Sequence, residues 1–201
     1  RRLARRCWPG PITLVLDDSH PESLIRRLPK EVQQMASPEG SVGLRVPGHA
    51  VILDVLQFMA GPLALTSANR GGESDARTAR EVVEALRDDV DLVLDDGPAR
   101  YGQPSSVVRV TGNQYTILRE GAVPERAIRR LSCFMVLFVC TGNTCRSPMA
   151  EAICRQFLAE RLSCSIEDLE DRGVIVASAG TSAVSGSRAS VEAVDVVAEM
   201  G

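Results

Sequence analysis

The chain is 201 residues long, 44% hydrophobic and only 3% aromatic, with a formal net charge of -3. That length holds one large or two small domains around an aliphatic core, and so weak a net charge offers no electrostatic case for a nucleic-acid or membrane partner. Six cysteines without a repeated short spacing do not read as a disulfide framework or a zinc site, so a reducing cytoplasm is the expected setting; no apolar stretch reaches the length of a membrane span.

Strand and helix signals alternate up to about residue 130. Strands are expected at Ile12 to Leu16, Val42 to Val46, Leu63 to Thr66, Asp91 to Leu94, Ser106 to Val110 and Tyr115 to Leu118. Helices are expected at Val51 to Met59 and Ala79 to Leu86, the second opened by the capping box Thr78-Ala79-Arg80-Glu81. Val110-Thr111-Gly112-Asn113-Gln114 reads as a hairpin turn, because Gly and Asn accept positive φ. The pattern implies a mixed α/β sheet with antiparallel pairing at its end. Gly121 to Cys133 reads as a short helix joining two halves, with Arg126, Arg129 and Arg130 on a solvated face.

Polar residues of this half fall where strands end. Ser67 and Asn69 follow the expected strand Leu63 to Thr66 and precede Gly71-Gly72, a place suited to a ligand or to a plain turn. Arg45, inside an apolar strand, needs a carboxylate, a phosphate or an exit to solvent, and Arg119 at the end of the last strand poses the same demand.

The second half opens on an apolar run, Phe134 to Val139, that reads as a buried strand, followed by Cys140-Thr141-Gly142-Asn143-Thr144-Cys145-Arg146-Ser147. Ser147 then Pro148 reads as an N-cap and first helical position, and Met149, Ala150, Ile153, Cys154, Phe157 and Leu158 recur as one helix face. A loop between a strand end and a helix start binds anions, through the free N–H groups of the first turn and the positive end of the macrodipole. Arg146 adds a planar fork matched to phosphate oxygens. The same field stabilises a thiolate on Cys140, to which Ser147 can donate. In a chain with 22 Arg and a single Lys, Lys30, the bare Cys-x5-Arg spacing says little. Its setting carries the inference: a strand before, Gly142 and Asn143 inside where positive φ is tolerated, and a helix after.

Val136 to Ala152, with the later Ser178-Ala179-Gly180-Thr181, resembles the signature of the low-molecular-weight protein tyrosine phosphatases. The resemblance implies Cys140 as nucleophile, Arg146 as phosphate clamp, Asn143 as shaper of the loop, Ser147 as thiolate partner, and Cys145 as a thiol able to pair with Cys140 in a protective disulfide. Related arsenate reductases usually carry Gln where this chain has Pro148. Thr144 resembles the protein-arginine phosphatases, so a phosphoprotein bearing phosphotyrosine or phosphoarginine is the implied substrate. The family's acid, an Asp followed by Pro, has no counterpart here; Glu151, Asp168, Asp171 and Asp195 are the nearby carboxylates, each explained by a solvated face or loop.

Trp8 to Thr13, Val42 to His49, Pro62 to Asn69, Gln103 to Val108 and Ile117 to Gly121 match, in order, the YrdC-like threonylcarbamoyl-AMP synthases. Such enzymes condense threonine, bicarbonate and ATP into threonylcarbamoyl-AMP and pyrophosphate, for modification of tRNA adenosine. By this resemblance Ser41, Ser67, Asn69 and Arg119 line the nucleotide, Arg45 and Ser105 bind threonine, ATP comes with Mg, and RNA contact is implied. Asp75 falls near the nucleotide, where an acid suits a triphosphate poorly. The family's early Lys-x-Arg motif is absent, and Lys30 does not replace it.

The expected architecture is therefore α/β throughout. A YrdC-like twisted mixed sheet, N-terminally incomplete, spans 1–130, and a low-molecular-weight phosphatase domain with a parallel sheet and flanking helices, C-terminally incomplete, spans 134–201. The C-terminal part of one enzyme is thus joined to the N-terminal part of another, with no metal site. Two other readings compete: a non-catalytic nucleotide- or RNA-binding module whose cysteine loop senses anions or oxidants, and an arsenate reductase using Cys154 and Cys164 as resolving thiols.

Overall fold

The computed structural model describes residues 1–59 and 61–199. The chain divides into two compact units, Arg1–Ala127 and Ile128–Gly201, which are taken in turn. Residues 200–201, the end of the second expected domain, lie outside the described residues.

In the first unit, α1 (Arg2–Cys7) buries Leu3 and Cys7, four apart on one helix face. In β1 (Ile12–Asp17), Ile12 and Leu14 are buried while Thr13 and Val15 are not, because a strand turns successive side chains to opposite faces. There follow α2 (Lys30–Ala36), which the sequence reading did not anticipate, β2 (Ser41–Leu44), α3 (Ala50–Phe58), α4 (Ala79–Leu86), β3 (Ser106–Thr111) and β4 (Gln114–Arg119), and then α5 (Glu125–Ser132), within which the division between the units falls. The strand order is β2-β1-β3-β4, with β1 and β3 parallel and the two outer pairs antiparallel, the mixed sheet expected from the sequence. Gly112 turns the β3–β4 hairpin at φ 60, and Asn113 is not among the positive-φ residues. The Thr78 hydroxyl caps α4 by accepting from the Glu81 N–H, while the Glu81 carboxylate reaches back to the Arg77 N–H.

Two expected strands do not form. Residues 63–66 and 91–94 lie outside every sheet ladder, and Leu65, Leu92 and Leu94 are exposed. A short, largely apolar run becomes a strand only where it pairs with a neighbouring edge through its N–H and C=O groups, and among the described residues neither segment does.

One fully buried hydroxyl closes the end of this sheet. Ser106 Oγ donates to the Val123 carbonyl at 2.7 Å and accepts from the N–H groups of Gly121 and Val123 at 3.1 and 3.0 Å. Ser106→Ala strands three backbone groups without partners, so urea unfolding of the first unit should show a loss of about 2–4 kcal/mol.

In the second unit β5 (Phe134–Cys140) and β6 (Val174–Gly180) run parallel, in a register that sets Cys140 opposite Gly180. Helices α6 (Arg146–Leu162) and α7 (Val191–Glu199) complete it, and α6 ends at Ser163 in the left-handed conformation, φ 50. Ala159, Leu169, Val176 and Ala193 are buried. The strand expected to be buried is covered on one side only: Val136, Phe138 and Cys140 are half-buried, whereas Leu137 and Val139 are exposed. On α6, Ile153 and Phe157 of the expected apolar face are likewise exposed.

The start of α6 also differs from expectation. Cys145 holds the N-cap position and Ser147 sits inside the first turn, buried, with its hydroxyl turned away from the helix N–H groups. Pro148 then occupies the third helical position, where its missing N–H leaves no intrahelical bond unmade.

Candidate active sites

The loop from Cys140 to Ser147 is built by the meeting of β5, β6 and the two helix starts of the second unit. The N–H groups of Thr181, Ser182 and Ser190 donate to the carbonyls of Cys140, Thr141 and Thr144 at 2.9, 2.9 and 2.7 Å. With three of its carbonyls held by the surrounding chain, the loop keeps amide donors for an anion. Gly180 permits this closeness: a Cβ there would lie 2.7 Å from the Thr141 carbonyl oxygen and 2.9 Å from the Asn143 nitrogen. Asn143 adopts φ 52, whereas Gly142 is not among the positive-φ glycines, so only one of the two residues expected to need that freedom uses it.

Cys140 Sγ lies 2.9 Å from Ser147 Oγ and accepts from the Asn143 N–H at 3.2 Å; Ser147 Oγ also lies 2.7 Å from Asn143 Oδ1, and its single proton serves the sulfur once the thiol ionises. Hydrogen bonding by Ser147, hydroxyl first and backbone second, with help from the Asn143 and Gly142 amides, lowers the Cys140 pKa to about 7. Arg146 stands exposed at the mouth of α6, and no ion pair is formed by it among the described residues. Cys145 is an exposed free thiol whose pKa is lowered by the hydroxyls of Ser190 and Thr144, and Thr144 is half-buried beside it. Glu151 accepts from the Ser178 hydroxyl at 2.6 Å and pairs with Arg155 on its own helix, Asp168 has its N–H in a local turn, Asp171 faces Arg129 at 3.9 Å, and Asp195 is exposed on α7. Cys154 and Cys164 are half-buried free thiols.

In the first unit one end of the sheet gathers polar side chains. Ser105 directly precedes β3, Arg119 ends β4, and Arg45 follows the last residue of β2. Arg119 donates through Nε and Nη2 to the Ser105 carbonyl at 3.2 and 2.8 Å, and Nη2 reaches Ser105 Oγ at 3.4 Å. Thr13 Oγ1, on β1, meets Ser105 Oγ at 2.9 Å. Arg45 answers the demand of its position without a carboxylate: it is exposed, and Nε donates to the Gly10 carbonyl at 2.9 Å. The Gly10 N–H donates to the Val46 carbonyl at 2.8 Å, so two of the sequence blocks, Trp8 to Thr13 and Val42 to His49, close on each other in space.

Other expected nucleotide residues stand apart from that cluster. Ser41 pairs with Asp17 at the far end of β1, four residues from Arg45, or ~13 Å along an extended strand. Ser67 is exposed in a segment without regular structure, and the strand expected to deliver it is absent. Asn69 Nδ2 donates to the carbonyls of Arg70 and Glu73, which makes it a turn residue, and its buried Oδ1 has no partner. Asp75 is exposed. Thr13 and Ser190 escaped the sequence reading; a Ser just before an acidic first turn, Ser190-Val191-Glu192, was the N-cap signal available for the second.

Residues 1–121 match the family model of Sua5, YciO and YrdC, described as telomere recombination. The chain belongs to the Sua5/YciO/YrdC family. Among curated members, the threonylcarbamoyl-AMP synthase of Pyrococcus abyssi is 31% identical over 129 residues, covering 64% of this chain and 35% of that protein. The threonylcarbamoyl-AMP synthase of Mus musculus is 37% identical over 133 residues, covering 62% and 44%. The chain thus spans well under two thirds of the length of these Sua5/YrdC relatives. The crystal structure of P. abyssi Sua5 complexed with L-threonine shares the fold, with TM-score 0.55 at 21% identity over 88% of this chain and 67% of that one. After the Sua5/YrdC match along the chain, residues 135–201 match the family model of low molecular weight phosphotyrosine protein phosphatase. Among the described residues no helix is long and apolar enough to cross a membrane, and no group of three or more His, Cys, Asp or Glu could hold a metal ion.

Proposed function

We propose that the protein is bifunctional, with a threonylcarbamoyl-AMP synthase module at 1–130 and a cysteine-dependent phosphatase module at 134–201. The observation that carries the second activity is Cys140 Sγ set against the Ser147 hydroxyl and the Asn143 N–H, which lower its pKa, in a loop three of whose carbonyls are held by the surrounding chain. The Cys140 thiolate forms an S–P bond as the P–O bond of an aryl phosphate, or the P–N bond of a phosphoarginine, breaks, and the departing oxygen or nitrogen takes its proton from solvent. Water then cleaves the S–P bond, releasing inorganic phosphate and restoring the thiol. Arg146 and the loop amides hold the non-bridging oxygens, Asn143 and Ser147 keep the sulfur charged, and Thr141, Gly142, Thr144 and Cys145 shape the cradle. Phosphotyrosine and phosphoarginine peptides, offered separately, decide the atom that leaves; Thr144 within the loop supports phosphoarginine.

For the first module, the support is the family match together with the Thr13, Ser105, Arg119 and Arg45 cluster at one end of the sheet. Threonine, bicarbonate and ATP are the substrates. Arg45 and Ser105 bind threonine, Arg45 through its carboxylate, and Arg119 serves the nucleotide; Ser41, Ser67 and Asn69 stand apart from this cluster and carry no part of the reading; Mg accompanies the ATP phosphates as part of the substrate. Contact of the synthase module with RNA, and a cytoplasmic location, go with this role. Pyrophosphate release that depends on threonine and bicarbonate should fall about 100-fold or more in Arg45→Ala, since a bidentate charge-assisted pair is lost. Release that ignores threonine altogether would overturn the synthase reading.

A further inference from the structure

Ser190 makes three contacts that no other residue combines. Its N–H donates to the Thr144 carbonyl at 2.7 Å. Its hydroxyl accepts from the Ala193 N–H at 3.3 Å, which caps α7, and lies 3.4 Å from Cys145 Sγ. An N-cap hydroxyl uses its lone pairs on the helix and keeps its proton free, and here the sulfur of Cys145 is what the proton can reach. Cys145 is the N-cap residue of α6 and the neighbour of Arg146, so the same side chain touches the starts of both helices.

We propose that Ser190 is a positioning residue of the anion loop: its backbone fixes Thr144, and its hydroxyl, while capping α7, donates to Cys145 and so holds the second half of the loop, with Arg146, in the anion-binding form. Its importance for turnover rests on the phosphatase reading above; its effect on Cys145 does not. The ionisable groups facing Cys145 are Glu192 on α7 and Cys140 in the loop, and both oppose a thiolate there. Donation from Ser190 is the largest influence in the other direction.

Capping alone and donation make different predictions. Ser190→Asp keeps a good N-cap for α7 but offers Cys145 no proton and adds a negative charge; Ser190→Ala loses both functions; Ser190→Thr keeps both. The test uses the whole chain. Alkylation of Cys145 by iodoacetamide is followed against pH by peptide mass spectrometry, and protection of Cys140 from alkylation by inorganic phosphate is titrated alongside. In Ser190→Asp and Ser190→Ala the pH midpoint at Cys145 should rise and the phosphate needed to protect Cys140 should increase about 3- to 10-fold, the range of one hydrogen bond. Ser190→Thr should restore both. If Ser190→Asp matches the parent in both measurements, Ser190 is only a helix cap and the proposal is wrong. Failure of phosphate to protect Cys140 in the parent protein would instead count against the phosphatase reading, and the Cys145 midpoints would still decide the case for Ser190.

Discussion

Replacing Cys140 with serine is expected to abolish phosphate release from p-nitrophenyl phosphate, a loss of about 10⁴-fold or more, as for removal of the nucleophile in other covalent enzymes. This substrate is chosen because its leaving group departs as a phenolate near neutral pH and needs little help from an acid. The exchange keeps side-chain volume almost constant, and an alcohol at this position stays protonated where the thiol ionises. The pH dependence supplies an independent check. Because hydrogen bonding lowers the Cys140 pKa to about 7, its thiolate is present above that pH and lost below it. Alkylation of Cys140 should therefore rise through a midpoint near pH 7, below that of an ordinary cysteine at roughly 8.5. A midpoint at the ordinary value, or undiminished turnover in Cys140→Ser, would remove the nucleophile from the mechanism.

In the first unit the largest effect is expected at Gly121. A Cβ at this residue would fall 2.3 Å from the Pro104 carbonyl oxygen and 2.8 Å from the carbonyl carbon and oxygen of Ser105. These are backbone atoms that cannot swing aside, and they belong to the segment that presents Ser105 to Thr13 and Arg119. Gly121→Val should cost about 3 kcal/mol in urea unfolding, the upper range for forced overpacking. Gly43→Ala is the control on the same sheet, since its Cβ would make only an ordinary contact of 3.4 Å with Thr13 Cγ2. Equal stability of the two variants would show that the chain around Pro104 and Ser105 yields more easily than its contacts imply.

These two positions illustrate what could be read in advance. Cys140 stood out because a thiol, a Gly-Asn pair, an arginine and a helix start lie within a few consecutive residues, and short-range order of that kind survives in sequence. Gly121 is one glycine among 16, and its need for hydrogen in place of a side chain arises from Pro104 and Ser105, which lie 16 or more residues away. The same distinction separates the expected strands. Those at 106–110 and 115–118 flanked a turn signal and, like 12–16, were found in place, whereas the short runs at 63–66 and 91–94 lie outside every sheet ladder.

Local chemistry, then, was determined by the sequence: the mixed α/β class, the hairpin at Gly112, the α4 cap at Thr78 and the anion loop after β5, each resting on residues that are neighbours along the chain. Tertiary structure alone decided the rest. It moved Ser147 from the N-cap position into the buried first turn of α6, set Gly180 beneath the loop, recruited Ser190 from 45 residues beyond Cys145, and brought Thr13, Ser105 and Arg119 to one end of the sheet while leaving Ser41 at the other. The physical reason is that hydrogen bonds and van der Waals contacts act over a few ångströms of space, and only the register of β1 with β2 and β3, and of β5 with β6, says which distant residues come within that reach.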